Sequence, residues 1–87
     1  MGVDGQEQSR NKETAYVMIN CELGSEESIL DQLRSTEGVK EAQGTYGSYD
    51  IITKIETKSI ESLRDILTFQ IRKIEKIKST TTVVCAK

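Results

Sequence analysis

The chain has 87 residues, of which 36% are hydrophobic, 5% aromatic and 30% charged, a length that suits one small domain and excludes a multi-domain enzyme. Twelve basic residues against fourteen acidic ones give a net charge of −2, so there is no positive excess to hold a nucleic acid. The sequence has no histidine, which removes the commonest general base and the usual zinc ligand. We therefore expect no catalytic residues, no metal and no cofactor.

The cysteines and the amino-terminal residues indicate the cellular compartment of the protein. Only Cys21 and Cys85 are present and neither belongs to a CxxC pair, so the sequence indicates neither a zinc ribbon nor a disulfide-rich secreted scaffold. No apolar run approaches the roughly 18 residues that cross a bilayer, and residues 1–13 are too polar for a signal peptide. We predict a cytoplasmic protein without membrane contact, in which residues 1–13 are a disordered polar tail and residues 14–87 form the domain.

The first predicted elements are a strand and a helix. The apolar, β-branched run Ala15–Cys21 predicts a strand that ends near Gly24. Ser25 then stands as an N-cap, with two glutamates in the first turn, where carboxylates favour the positive end of the helix dipole. One side of this helix is apolar, through Ile29, Leu30 and Leu33, and Gly38 supplies a left-handed stop.

A hairpin follows. Residues 39–46 and 49–55 are two extended runs, joined by Gly47 and Ser48. A two-residue loop that begins with glycine suits a type II′ turn. We therefore predict that strands two and three pair in antiparallel fashion through a tight turn.

The last two predicted elements are a second helix and a fourth strand. Ser59 caps a helix whose apolar residues recur at spacings of three and four, namely Ile60, Leu63, Leu67, Ile71 and Ile74. Phe69 lies well away from the centre of this stripe, so it is a candidate oligomer contact. The β-branched run Ser79–Cys85 predicts the fourth strand.

The order β-α-β-β-α-β is typical of the ferredoxin-like fold, an α+β architecture with a four-stranded antiparallel sheet and both helices on one face. No helix covers the other face, yet residues 17–19, 51–52 and 83–85 place apolar side chains on both faces of their strands. We predict a homodimer packed sheet to sheet. The same topology places Cys21 and Cys85 at opposite ends of paired strands, which excludes an intrachain disulfide.

Three segments of this fold meet at one end of the sheet: the end of strand one, the turn between strands two and three, and the start of strand four. Hydroxyls and main-chain N–H groups there suit the carboxylate of an amino acid, Asp50 suits its ammonium group, and a tyrosine of the turn covers its side chain. The candidate ligand-binding residues are Tyr46, Gly47, Ser48, Tyr49, Asp50, Ser79, Thr80 and Thr82. Strand alternation places Thr80 and Thr82 on one face and Thr81 on the other.

Each candidate also has a purely structural interpretation. Gly47 serves any tight turn that needs a positive φ. Asp50 is placed to bond nearby main chain, and a threonine run is an ordinary half-exposed strand on propensity alone.

Two motifs resemble the effector-binding (RAM) domain of Lrp/AsnC transcriptional regulators. They are the Gly-x-Tyr-Asp turn within Tyr46–Ile52 and the Ser-Thr-x-Thr start of strand four, which follows Ile71–Ile74 and Lys78. The resemblance covers residues 15–85. It implies a domain that dimerises through its sheets, assembles into octamers and binds amino acids between dimers. The family's DNA-binding helix-turn-helix is missing, so we expect a stand-alone form without direct DNA binding.

The favoured function is a regulatory module that senses an amino acid or related metabolite and modulates longer regulators of its family by hetero-assembly. Alternatives from the same fold are an ACT-like amino-acid-binding domain, which usually carries a glycine-rich turn after strand one, and a small dimeric enzyme. RNA binding through the open sheet needs stacking aromatics, and strands one and three offer only Tyr16 and Tyr49.

Overall fold

The structure, a computed structural model, describes residues 12–86. Its elements are β1 (Glu13–Cys21), α1 (Glu26–Arg34), β2 (Val39–Gly44), β3 (Ile51–Thr57), α2 (Ile60–Asp65), a π-helical continuation of α2 (Ile66–Ile71) and β4 (Ile77–Val84). The four strands form one antiparallel sheet in the order β2-β3-β1-β4, which confirms the ferredoxin-like prediction. The predicted tail lies outside the described residues except for its last two, and Glu13 already belongs to β1.

The core lies between the sheet and the helices. Along β1 every second residue is buried, because successive side chains of a strand point to opposite faces. Helix α1 packs on β2 and β3, and α2 packs on β3 and β1. The fully buried large side chains are Val17, Ile19, Ile29, Leu33, Ile51, Thr53, Ile55, Leu63 and Ile71.

The connection between β2 and β3 corrects the predicted two-residue turn. The strands end at Gly44 and begin again at Ile51, so six residues form the loop. The loop closes through the Thr45 N–H, which donates to the Asp50 carbonyl over 2.8 Å. Gly47 has φ +117°, so the predicted need for a positive φ is confirmed, but at the tip of a wider loop.

Helix α1 ends at Arg34, four residues before the predicted stop at Gly38. Gly38 does adopt a left-handed conformation, with φ +94°, in the turn that enters β2. A Cβ at this position would lie 2.6 Å from Ile66 Cδ1, so the end of the Ile66 side chain would have to shift, and the positive φ itself disfavours any side chain here.

The second helix departs most from its predicted form. Ser59 caps it as predicted, since its hydroxyl accepts a hydrogen bond from the Ser62 N–H over 3.1 Å. The α-helical geometry ends at Asp65 and passes into the π-helical turn, which rotates the later side chains relative to a straight apolar stripe. Ile74 is buried although it lies beyond the helix. No helix among residues 12–86 is long and apolar enough to span a bilayer.

The sheet face that no helix covers is called the open face below. Its centre is apolar, with Tyr16 and Met18 of β1 half-buried, Ile52 of β3 exposed and Val83 of β4 exposed. Farther along β3 the face becomes charged, because Lys54 pairs with Glu56 at 3.7 Å. The predicted apolar second face is therefore present, but it occupies only part of the sheet.

Beyond Ile77, which packs against the core, strand β4 is exposed on both of its faces. By register Val84 lies opposite Ala15 and Thr82 opposite Val17, so both are on the helix side of the sheet. Helix α1 packs on β2 and β3 and helix α2 on β3 and β1, so β4 lies outside the main packing of both helices, and the Thr82 and Val84 side chains are exposed. The helix side of β4 is thus a second unoccupied surface, which the sequence did not predict.

Candidate functional site

Three loops meet at one end of the sheet, as predicted: residues 22–25 after β1, residues 45–50 before β3, and residues 72–76 before β4. Main-chain bonds join the first loop to the third and the second loop to β1. The Glu22 N–H donates to the Lys76 carbonyl, and the Asp50 N–H donates to the Ile19 carbonyl, each over 2.9 Å. This end of the molecule is called the loop end.

Asp50 holds the centre of the loop end. Its carboxylate Oδ2 accepts a hydrogen bond from the Cys21 N–H over 2.9 Å, and the residue is half-buried. Asp50 therefore bonds to main chain, as its structural interpretation predicted, but the N–H that it accepts from lies 29 residues away and not within its own turn. The bond fixes a negative charge at the end of β1, beside the start of α1.

The thiol of Cys21 is part of the same cluster. Burial raises the pKa of the Cys21 thiol above its ordinary value; the nearby Ser25 hydroxyl lowers it, and the negative charges of Asp50 and Glu26 raise it further. The net rise keeps the thiol protonated and weakly nucleophilic at neutral pH. Cys85 lies at the opposite end of the sheet, where its N–H donates to the Thr14 carbonyl, so the prediction that the two cysteines are too far apart for an intrachain disulfide is confirmed.

Ser25 precedes α1 at the predicted cap position but does not cap it. The Ser25 hydroxyl donates to the Glu22 carbonyl over 2.5 Å and forms no capping hydrogen bond with the helix. Glu26 Oε1 instead accepts from the Gly24 N–H over 3.1 Å. The first N–H groups of α1 thus remain available at the loop end.

The residues predicted in strand four fall on two faces. Ser79 pairs with Asn20 and lies on the open face, whereas Thr80 and Thr82 lie on the helix side, as predicted for those two. Thr82 is three residues farther from the loop end than Ser79, which is about 10 Å along a strand. Only Ser79 and Thr80 are therefore close to the loops.

The remaining candidates lie within residues 45–50. Tyr46 is fully exposed at 105%, and Gly47 and Ser48 are exposed beside it. Tyr49 is half-buried, and its carbonyl accepts from the Thr45 hydroxyl over 2.8 Å. The loop candidates thus lie together at the start of β3. Thr80 lies on β4, and because β1 stands between β3 and β4, two strand spacings, roughly 10 Å, separate Thr80 from the loop.

Sequence reasoning missed two contributors to the loop end. Neither Cys21 nor Lys76 is among the predicted site residues, although Lys76 has φ +73° and its carbonyl ties the end of β1 to the loop before β4. A positive φ at a non-glycine residue and a contact across 29 positions leave no signal in local sequence patterns.

Comparison with known proteins fits this arrangement. The family model described as the Lrp/AsnC ligand binding domain matches residues 14–87. The regulatory protein AsnC of Escherichia coli K12 is 39% identical over 57 residues, which are 66% of this chain and 38% of that protein. The chain therefore spans less than half the length of this curated relative.

Two solved structures show the same fold. A hypothetical protein from Pyrococcus horikoshii is 33% identical with a TM-score of 0.82, over 86% of this chain and 90% of that chain. A transcriptional regulator from Neisseria meningitidis, solved as a complex with L-Met, is 10% identical with a TM-score of 0.80, over 93% of this chain and 54% of that chain. At 10% identity the second likeness concerns the fold alone. The match to the family model shows that this chain belongs to the Lrp/AsnC family and that residues 14–87 form its ligand-binding domain.

Proposed function

We propose that this chain is a regulatory module that binds a free amino acid at the loop end and performs no chemical reaction on it. The observation that carries the proposal is the fixed carboxylate of Asp50, which a main-chain bond of 2.9 Å holds at the meeting point of three loops. A fixed carboxylate is the group that an ammonium ion requires.

The rest of the loop end supplies what the carboxylate of an amino acid requires. The N–H groups at the start of α1 are hydrogen-bond donors on the helix side of the loop end. Ser79 and Thr80 lie on opposite faces of β4, so a single ligand engages only one of these two hydroxyls. Tyr46 and Tyr49 offer apolar surface for a side chain. A regulator of the same fold has been captured with L-Met, which supports an amino acid as the ligand class.

Calorimetry against the twenty amino acids, with the Asp50→Asn variant, tests the proposal. Asparagine keeps an oxygen that accepts from the Cys21 N–H but loses the charge. Because a hydrogen bond between charged groups contributes about 1.5–3 kcal/mol, we expect the affinity to fall roughly 10- to 100-fold. Asp65→Asn is the matched control, since it removes the same charge from an exposed position at the end of α2.

Two results would contradict this assignment. One is that no amino acid binds at millimolar concentration. The other is that Asp50→Asn and Asp65→Asn bind as tightly as the original chain. Thermal melts of both variants show whether each is folded, so a loss of binding is separable from a loss of structure.

The open face supports a second part of the proposal, a homodimer packed sheet to sheet. Tyr16, Met18, Ile52 and Val83 form an apolar centre on adjacent strands. In a chain of this size, whose own core is small, burying that centre against a second copy provides further stabilisation. Sedimentation analysis at micromolar concentration tests the prediction, and a monomeric mass contradicts it.

The proposal includes modulation of transcription by assembly with longer regulators of the family. This chain matches only part of the length of such a regulator. The same surfaces of the same domain would form both assemblies. Co-expression with a tagged full-length regulator and measurement of the mass of the purified complex test this step. Recovery of the two proteins only as separate assemblies contradicts it.

A further inference from the structure

Three departures from regular backbone geometry follow one another in a single stretch of the chain. The first is the π-helical turn, Ile66–Ile71. The second is Lys76, the one residue other than glycine with a positive φ in the part of the chain that the structure describes. The third is a β-bulge at the start of β4, where Lys78 is an extra residue opposite the step from Asn20 to Cys21.

Two of these departures each take up one additional residue. A π-helical turn forms its hydrogen bonds between residues i and i+5 instead of i and i+4, so it holds one residue more than the α-helix that it interrupts. A β-bulge likewise sets two residues of one strand against one of its partner. The loop of residues 72–76 therefore connects two places that can each gain or release a residue.

The sequence of α2 also fits the ordinary α-helical register. Leu63, Leu67, Ile71 and Ile74 recur at spacings of three and four, which is the pattern of one buried face in a continuous α-helix. In the structure Leu67 is only half-buried, and Ile74 is buried beyond the end of the helix. Burial of these side chains thus does not by itself decide between the two registers.

Contacts at both ends of this stretch hold the π-helical register. At its start the Ile66 side chain lies against the turn at Gly38, where a Cβ would be 2.6 Å from Ile66 Cδ1. At its end the Lys76 carbonyl accepts a hydrogen bond from the Glu22 N–H over 2.9 Å. Since a left-handed backbone is unfavourable for lysine, this bond holds Lys76 in a conformation that is relieved when the loop moves.

Phe69 lies within the π-helical turn and is 63% exposed, so it connects this stretch to the outer surface of the molecule. A change of register by one residue rotates side chains by about 100°, because 3.6 residues complete one turn of an α-helix. A movement of residues 72–76 at the loop end therefore changes the surroundings of Phe69.

We propose that residues 66–78 form a two-state element, in which the π-helical turn changes to α-helix when the bond between Glu22 and Lys76 opens. The two registers belong to the chain without any ligand. A further step rests on the proposed function: the loop end is assembled only in the π-helical state, so an amino acid bound there selects that state.

Fluorine NMR at Phe69 tests the two registers, because 4-fluorophenylalanine labels a single position in a chain with one phenylalanine. Register shifts of helices take microseconds to milliseconds, so we expect relaxation dispersion to reveal a minor state with about 0.1–10% of the population. Deletion of the exposed Thr68 removes the additional residue of the π-helical turn. We expect the signal of this variant at the position of the minor state.

A substitution in the loop keeps the test independent of whether the deletion variant folds. Lys76→Gly removes the penalty of the positive φ and favours the observed state, so we expect the minor population to fall about 5- to 30-fold. Lys73→Gly is the matched control, since Lys73 is an exposed lysine of the same loop without a positive φ. It should not lower the minor population.

The two registers are overturned if Phe69 shows no exchange, if a folded Thr68 deletion keeps the major signal, or if Lys76→Gly and Lys73→Gly have the same effect. The fluorine measurement is then repeated with each of the twenty amino acids. Binding in calorimetry with a lower minor population supports the ligand step, whereas binding with unchanged exchange overturns that step and leaves the proposed function intact. If no amino acid binds, the proposed function and the ligand step both fail, while exchange at Phe69 still supports the two registers.

Discussion

Two neighbouring valines of β4 provide a matched test of the sheet-to-sheet dimer. Val83 lies on the open face and Val84 on the helix side, and their exposures are almost equal, at 49% and 48%. Replacing either valine with lysine makes the same chemical change at the same depth. Only Val83→Lys places the charge in the predicted dimer interface.

The magnitude follows from the exposed half of Val83. Burying a whole valine side chain contributes about 1.5–3 kcal/mol, so burying the remaining half contributes about 1 kcal/mol per copy and about 2 kcal/mol per symmetric dimer. Loss of 2 kcal/mol raises the dissociation constant about 30-fold, before the cost of burying two ammonium groups is added. We expect Val84→Lys to leave the dissociation constant within about threefold of the original, since its effect is confined to a solvated surface.

Sedimentation equilibrium over a range of protein concentrations measures both constants. Equal dissociation constants for Val83→Lys and Val84→Lys would refute the assignment of the open face as the dimer surface. Weaker dimers in Val84→Lys than in Val83→Lys would place the interface on the helix side of β4.

Three further predictions concern stability, each measured by urea unfolding. Gly38→Ala lowers the unfolding free energy by about 1–3 kcal/mol, because its Cβ meets Ile66 at 2.6 Å and its φ of +94° disfavours a side chain; an unchanged midpoint would show that the turn relaxes. Thr53→Val raises the unfolding free energy by about 1 kcal/mol, since the buried Thr53 hydroxyl has no hydrogen-bond partner among the described residues; a loss would reveal a partner for it. The pKa of the Cys21 thiol is higher in the folded than in the unfolded chain, so the unfolded chain loses this proton first and the unfolding free energy falls as the pH rises above the ordinary thiol pKa. We expect this dependence of stability on pH to be weaker in Cys21→Ala, and an unchanged dependence would exclude Cys21 as its source.

The fold was predictable because its signals are local. Short apolar runs with β-branched content and the turn between strands two and three located all four strands, and the spacing of apolar residues located both helices. The order of those elements, with the preference for right-handed crossovers, leaves few topologies, and the observed strand order is the expected one.

The departures arise where the geometry depends on hydrogen bonds and backbone conformations that local sequence patterns do not reveal. Gly47 and Ser48 permit a two-residue turn, but the pairing of Thr45 with Asp50 closes a wider loop. An apolar spacing of three and four fits an α-helix and does not reveal the π-helical turn at Ile66. Only the fold brings Asp50 to Cys21.

One departure was avoidable from the sequence. A strand repeats every two residues, so Ser79 cannot share a face with both Thr80 and Thr82. The separation of these hydroxyls follows from alternation alone, and the register confirms it.

The bare helix side of β4 has a consequence for the rate of ligand exchange. Dimerisation through the open face leaves Thr80 and Thr82 in contact with solvent, because they point the other way. A small molecule that reaches the loop end from the helix side, past Thr80, can therefore arrive and depart while the subunits stay together. Its entry and escape would then show the same kinetics in dilute and in concentrated protein, as long as the dimer persists.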